Sequence, residues 1–113
     1  AAIVVTAAPA GVTPYAVDPL YAMSKHAVVG LVRSLAPELA RRGIRIHALC
    51  PGAVATQIIP HAQKTNDALF MAPEDLAKDV VELMEEPESG KTWVRLRADK
   101  PRYVIRAPGD KTG

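Results

Sequence analysis

"LYAMSKHAVVGLVRSLAPELARRGIRIHALCPG" (20–52) holds the passage on which the fold turns. Val28, Leu31, Val32, Leu35 and Leu39 recur at helical spacing and predict an amphipathic helix over 20–42. Gly43 stands where a C-terminal cap belongs, and Arg41 and Arg42 lie at the negative end of the helix dipole. Pro37 removes one backbone hydrogen bond and predicts a bend in the last turns. "IRIHALC" (44–50) then reads as a strand stopped by Pro51 and Gly52. A long helix feeding an apolar strand is the signature of an α/β chain.

The flanks extend that pattern. "AAIVVTAA" (1–8) is apolar almost without a break, which predicts a strand over 2–8 buried on both faces of a parallel sheet. Such a strand needs neighbours on both sides, so the chain reads as the later part of a larger sheet. Pro9, Gly11, Pro14 and Pro19 mark a loop. Residues 53–71 form a long connection of the kind used for lids and binding loops. "APEDLAKDVVELMEE" (72–86) predicts a helix, with Pro73, Glu74 and Asp75 in its first turn and Leu76, Val80, Leu83 and Met84 on one face. "KTWVRLRA" and "RYVIRA", separated by a "DKP" turn, read as a terminal hairpin. Strand, helix, strand, loop, helix, strand predicts a parallel sheet with helices on its faces.

Composition narrows the classes of function. The chain has 113 residues, 49% hydrophobic and 23% charged, which fits one globular domain. A formal charge of +2 does not indicate a nucleic-acid or membrane partner. Cys50 is the single cysteine, which rules out an internal disulfide. His26 and His61 lack the partner spacing of a metal site, so no metal is expected. No apolar run has the length of a membrane span, and a cytoplasmic location is expected. Lys91, Arg95, Arg97, Lys100, Arg102 and Arg106, with Trp93 and Tyr103, read as a charged edge strand rather than a nucleic-acid surface.

Tyr21 and Lys25 sit at i and i+4, so they project from one helix face a turn apart. An ammonium near a phenol favours the phenolate and lowers the tyrosine pKa from its reference of about 10. That is the requirement for a proton donor or acceptor near neutral pH. Alone, the pair is weak evidence, because tyrosine and lysine meet at this spacing by chance.

The surroundings are more specific. "YAMSKHAVVGLVRSLAPELARRGIRIHALCPGAVATQI" (21–58) resembles the short-chain dehydrogenase/reductase family in the Tyr-x-x-x-Lys pair, the passage from helix to strand, and "PGAVAT" (51–56). "IVVTAAPAG" (3–11) resembles the family's fifth strand and following loop, and 72–94 its last helix and strand. The resemblance implies the C-terminal part of a doubly wound Rossmann-like α/β sheet, without its dinucleotide-binding N-terminal half. It implies NAD or NADP as cofactor and a small carbonyl or alcohol as substrate. Tyr21 would be the acid/base, and Lys25 the partner of the nicotinamide ribose and of the Tyr21 hydroxyl. Pro51, Gly52, Val54 and Thr56 would line the cofactor; Ile58, Ile59, Leu69, Phe70 and Met71 would belong to the substrate loop. A homodimer or homotetramer through the 20–42 helix is implied as well.

Two positions depart from the family pattern. Ala8 stands thirteen residues before Tyr21, where a serine that hydrogen-bonds the substrate is usual. Thr6 lies two residues back, and Thr13 lies in the loop. His47 replaces an asparagine and reads as a structural histidine. A second reading therefore stands beside the oxidoreductase: a homologue of little or no turnover that binds cofactor or serves assembly.

Overall fold

The computed structural model describes residues 1–52 and 71–106. Strands β1 (Ala2–Thr6), β2 (Arg45–Pro51), β3 (Thr92–Arg95) and β4 (Tyr103–Ile105) form one sheet in that order. Helices α1 (Pro19–Arg41) and α2 (Pro73–Met84) complete it, with a 3-10 turn at Pro9–Gly11 inside the predicted loop. β1 pairs parallel with β2, and β2 parallel with β3. β4 returns antiparallel on β3, with Trp93 opposite Val104, as the predicted hairpin requires.

The helix ends follow from local chemistry. The Asp18 carboxylate accepts a hydrogen bond from the Tyr21 backbone N–H at 3.1 Å, and Pro19 occupies the first turn, where its missing N–H costs nothing. At the other end Gly43 adopts φ of 73°, the left-handed conformation of a C-terminal cap. Pro37 lies inside the helix, which runs on through it to Arg41.

The core has two layers of contact. Ile46, Ala48, Cys50 and Val94 alternate onto the face covered by α1, where they meet Val29, Val32 and Ala36. Arg95, on the opposite pleat, reaches Asp79 of α2, so α2 covers the other face. β2 is consequently buried on both sides, with every residue from Ile46 to Cys50 inaccessible.

Three expectations change. The stripe of α1 that packs inward is Ala22, Val29, Val32 and Ala36, whereas Leu31 and Leu35 are 58% and 38% exposed. Small alanines carry little weight in a count of apolar periodicity, yet they let helix and sheet approach closely. β1 lies at an edge of the described sheet, bonded to β2 alone, so Ile3 is 41% exposed and the both-faces burial expected of it belongs to β2. On α2, Asp79 takes a buried position beside Leu83, while Met84 faces outward.

Asp79, 1% exposed, is held by two arginines. The Arg95 guanidinium donates to both of its carboxylate oxygens at 3.0 and 3.1 Å, and that of Arg102 donates to Oδ1 at 3.1 Å. Arg102 also bonds Glu82 and lies 5.2 Å above the Trp93 ring. Arg95 donates onward to the Ala98 carbonyl, closing the turn before β4. Together these groups tie the hairpin to α2 around a cleft of about 300 Å³ lined by Lys78, Glu82, Trp93 and Pro101. Arg97 pairs with Asp99, and Lys91 with Glu86 and Glu88. Several of the tail's basic groups are thus engaged by carboxylates of the chain itself. Asp79→Ala is expected to destabilise the fold by about 2 kcal/mol, because it removes the shared carboxylate of two largely buried guanidiniums, which keep their bonds to the Ala98 carbonyl and to Glu82. Urea unfolding measures this, and a loss under about 1 kcal/mol contradicts the clasp.

His47 is fully buried, and neither ring nitrogen has a hydrogen-bond partner among the described residues. Burial lowers its pKa from 6.5; nearby Glu86 opposes that shift, and Lys91 and Arg45 add to it. The unfolded chain therefore binds this proton more readily than the fold does. Stability is full above about pH 6.5 and falls as the pH drops toward the depressed folded value. The unfolding midpoint should decline from pH 7.5 to 5 more steeply in the wild type than in His47→Asn. Equal slopes would assign the decline to other groups.

Candidate active site

The carboxyl end of β1 and that of β2 are fastened together: the Ala7 N–H donates to the Leu49 carbonyl at 2.7 Å. In parallel α/β sheets, ligands bind outside these strand ends. Ala8 follows in extended conformation, 9% exposed, and its carbonyl accepts from Gly11 N–H at 2.8 Å to close the 3-10 turn. It presents a methyl group and no donor.

That turn sits directly on α1. A Cβ placed on Gly11 would meet the Lys25 carbonyl oxygen at 2.8 Å and a Val29 methyl at 3.0 Å. Only glycine permits this approach, and it sets the turn against the part of the helix that carries Lys25. Tyr21 and Lys25 lie in the opening turns of α1, with Ala22 between them buried against the body. Asp18 caps this end, and Ser24 Oγ donates to the Tyr21 carbonyl at 2.7 Å.

The pair meets in space as the spacing predicts. Lys25 Nζ lies 5.4 Å from the centroid of the Tyr21 ring, within reach of a cation–π attraction. Tyr21 is 41% exposed, so its ring is open to solvent. Lys25 makes no ion pair among the described residues, which leaves its ammonium donors available to hydroxyl groups. A second aromatic ring joins them: Tyr15 packs edge-on against Tyr21, centroids 5.9 Å apart and planes at 61°.

Pro51 and Gly52 end β2 beside the edge of β3. Gly52 N–H donates to the Arg95 carbonyl at 2.7 Å, and a Cβ at Gly52 would collide with the Leu96 carbonyl oxygen at 2.5 Å. The turn is therefore held by close backbone contact. Val54, Thr56, Ile58, Ile59, Leu69 and Phe70 lie outside the described residues. Met71, expected in the substrate loop, is fully buried. Cys50 is buried as well, and desolvation pushes its thiol pKa up, which makes it an inert core side chain.

Sequence reading missed two contributors. Asp18-Pro19 is the ordinary signature of an N-cap followed by a first helical residue, and it could have placed the start of α1. Tyr15 carried no such signal, since its contact with Tyr21 depends on the path of the loop. Among the described residues there is no group of three histidine, cysteine or acidic side chains able to hold a metal, and no helix long and apolar enough to cross a membrane.

Comparison with known proteins identifies the family. The family model described as short chain dehydrogenase matches residues 1–67. Human 15-hydroxyprostaglandin dehydrogenase (NAD+) is 40% identical over 75 residues, covering 64% of this chain and 28% of the relative. Xanthoxin dehydrogenase of Arabidopsis thaliana is 45% identical over 103 residues, covering 83% of this chain and 34% of the relative. The solved structure of ElxO with NADP bound superposes with a TM-score of 0.71 at 26% identity, covering 82% of this chain and 44% of that one. The chain thus spans less than half the length of these relatives. With the family match covering more than half of its residues, the chain belongs to the short-chain dehydrogenase family.

Proposed function

We propose that the protein bearing this chain interconverts a secondary alcohol and a carbonyl compound with NAD or NADP. The observation that carries this is the Tyr21–Lys25 pair, assembled on one face of α1 with the cation against the ring and the ring open to solvent. The cofactor supplies or takes up the hydride at the substrate carbon. A relative named for NAD+ and a related structure holding NADP support that chemistry.

Each residue has a task that its chemistry allows. Tyr21 takes the hydroxyl proton as an alcohol is oxidised, and returns one to the oxygen as a carbonyl is reduced. Lys25 stabilises negative charge on the phenol oxygen and donates to the ribose hydroxyls of the cofactor. Its ammonium, in no ion pair among the described residues, and its half-buried position suit it to both. Pro51 and Gly52, at the end of β2, would border the cofactor, while Met71, fully buried, packs into the body.

Ala8 favours the second reading, a homologue that binds cofactor with little turnover, because a buried methyl offers the substrate oxygen nothing. Tyr21→Phe decides between the two in the full natural product. Under the first reading it lowers kcat/KM by about 10²–10⁴ on an alcohol and carbonyl panel and leaves NADH and NADPH binding intact. Cofactor binding with no turnover in the native protein would establish the second.

The outward face of α1 supports association of copies. Leu20, Met23, Leu31 and Leu35 are exposed at 72, 63, 58 and 38% and fall on one stripe of the helix. A homodimer or homotetramer through this helix covers them. Leu31→Asp should shift the protein to a smaller species in light scattering after gel filtration; an unchanged mass places the contact elsewhere.

A further inference from the structure

We propose that Tyr15 is a catalytic residue whose phenolic hydroxyl donates a hydrogen bond to the substrate oxygen, the bond for which Ala8 has no donor. This rests on the reading of Tyr21 as the acid/base. As hydride reaches a carbonyl carbon, negative charge builds on the oxygen. One of its lone pairs takes the proton from Tyr21, and the other needs a donor aimed at it.

The hydroxyls near Tyr21 narrow the choice. Thr13 Oγ1 donates to the Pro9 carbonyl at 2.9 Å, so its proton is committed to the turn. Ser24 Oγ donates to the Tyr21 carbonyl at 2.7 Å and is committed to the helix. Thr6 lies two residues before Ala8, about 6.5 Å back along the strand. Among the described residues Tyr15 is left: its ring is in contact with that of Tyr21, and its hydroxyl makes no hydrogen bond there.

The loop gives this ring a defined place. Thr13 is anchored to Pro9 through both backbone and side chain, and Asp18 is fixed as the cap of α1. Only residues 14–17 bridge the two anchors, and Pro14 restricts the backbone entering Tyr15. The two residues are exposed to the same degree, 42 and 41%, so both rings are accessible from solvent. The edge-on packing holds Tyr15 beside Tyr21, where a long side chain on the loop takes the task of a short one at the strand end.

The test uses the full natural product and a substrate from the panel. Tyr15→Phe keeps the ring and removes only the hydroxyl. It should lower kcat about 10²–10³ with little change in KM, unfolding midpoint or NADH affinity. Ala8→Ser in the Tyr15→Phe background should recover at least about tenfold, since it restores a donor from the strand side. Tyr15→Phe with native kcat overturns the proposal, as does a double variant no better than Tyr15→Phe. A native protein that is inert but becomes active as Ala8→Ser overturns the role of Tyr15 while leaving that of Tyr21 standing. Inertness in both forms overturns the activity itself, and Tyr15 falls with it.

Discussion

The contact between Gly11 and the backbone of α1 governs the rest of the molecule's working end. With no side chain between them, the turn after β1 and the helix meet at van der Waals distance, and the Lys25 carbonyl occupies the space a Cβ would need. This fixes where the chain leaves the sheet and where the helix stands over it. Everything between the two anchors, from Thr13 to the Asp18 cap, becomes a short bridge laid over the same site. The tyrosine and lysine are then positioned by backbone geometry, with the Asp18 cap and the Tyr15 ring against Tyr21 as side-chain support.

β2 is the other fixed element. Both of its faces are covered, and both of its edges are paired, so its carboxyl end is the most constrained point of the sheet. The segment after α2 adds to this: Ser89 accepts from Ile46 N–H at 2.9 Å, and Gly90 N–H donates to the Ile46 carbonyl at 2.7 Å. The Asp79 clasp binds the hairpin to α2 on one face while α1 covers the other. A sheet clamped in this manner places the Pro51–Gly52 turn and the turn that carries Ala8 at the same end of two paired strands.

Much of this was legible in the sequence, for reasons that differ by element. The helix and β2 were readable because leucine and valine spacing, Gly43 and Pro51 all act locally. The hairpin was readable because "DKP" can only turn. The buried stripe of α1 was misjudged because leucines mark apolarity wherever they face, while Ala22 and Ala36 mark closeness, which requires the partner surface to be seen. Asp79 looked like an ordinary surface carboxylate of an amphipathic helix; its burial depends on Arg95 and Arg102, which arrive from 16 and 23 residues further on. The Tyr21–Lys25 proximity followed from helical geometry alone, whereas Tyr15 depended on a loop path that no local rule encodes.

The position of Lys25 over the Tyr21 ring has a consequence for the proposed proton transfer. A cation above a ring is held by the ring's quadrupole, a property of the π cloud that a phenol retains after it gives up its proton. The attraction persists in both protonation states and only strengthens in the anionic one. Under the proposed acid/base role, the Tyr21 ring would keep its place against its partner throughout the proton transfer. In the proposed reaction that would leave little reorganisation between turnovers, a consequence of the same helical spacing that brings the two residues together.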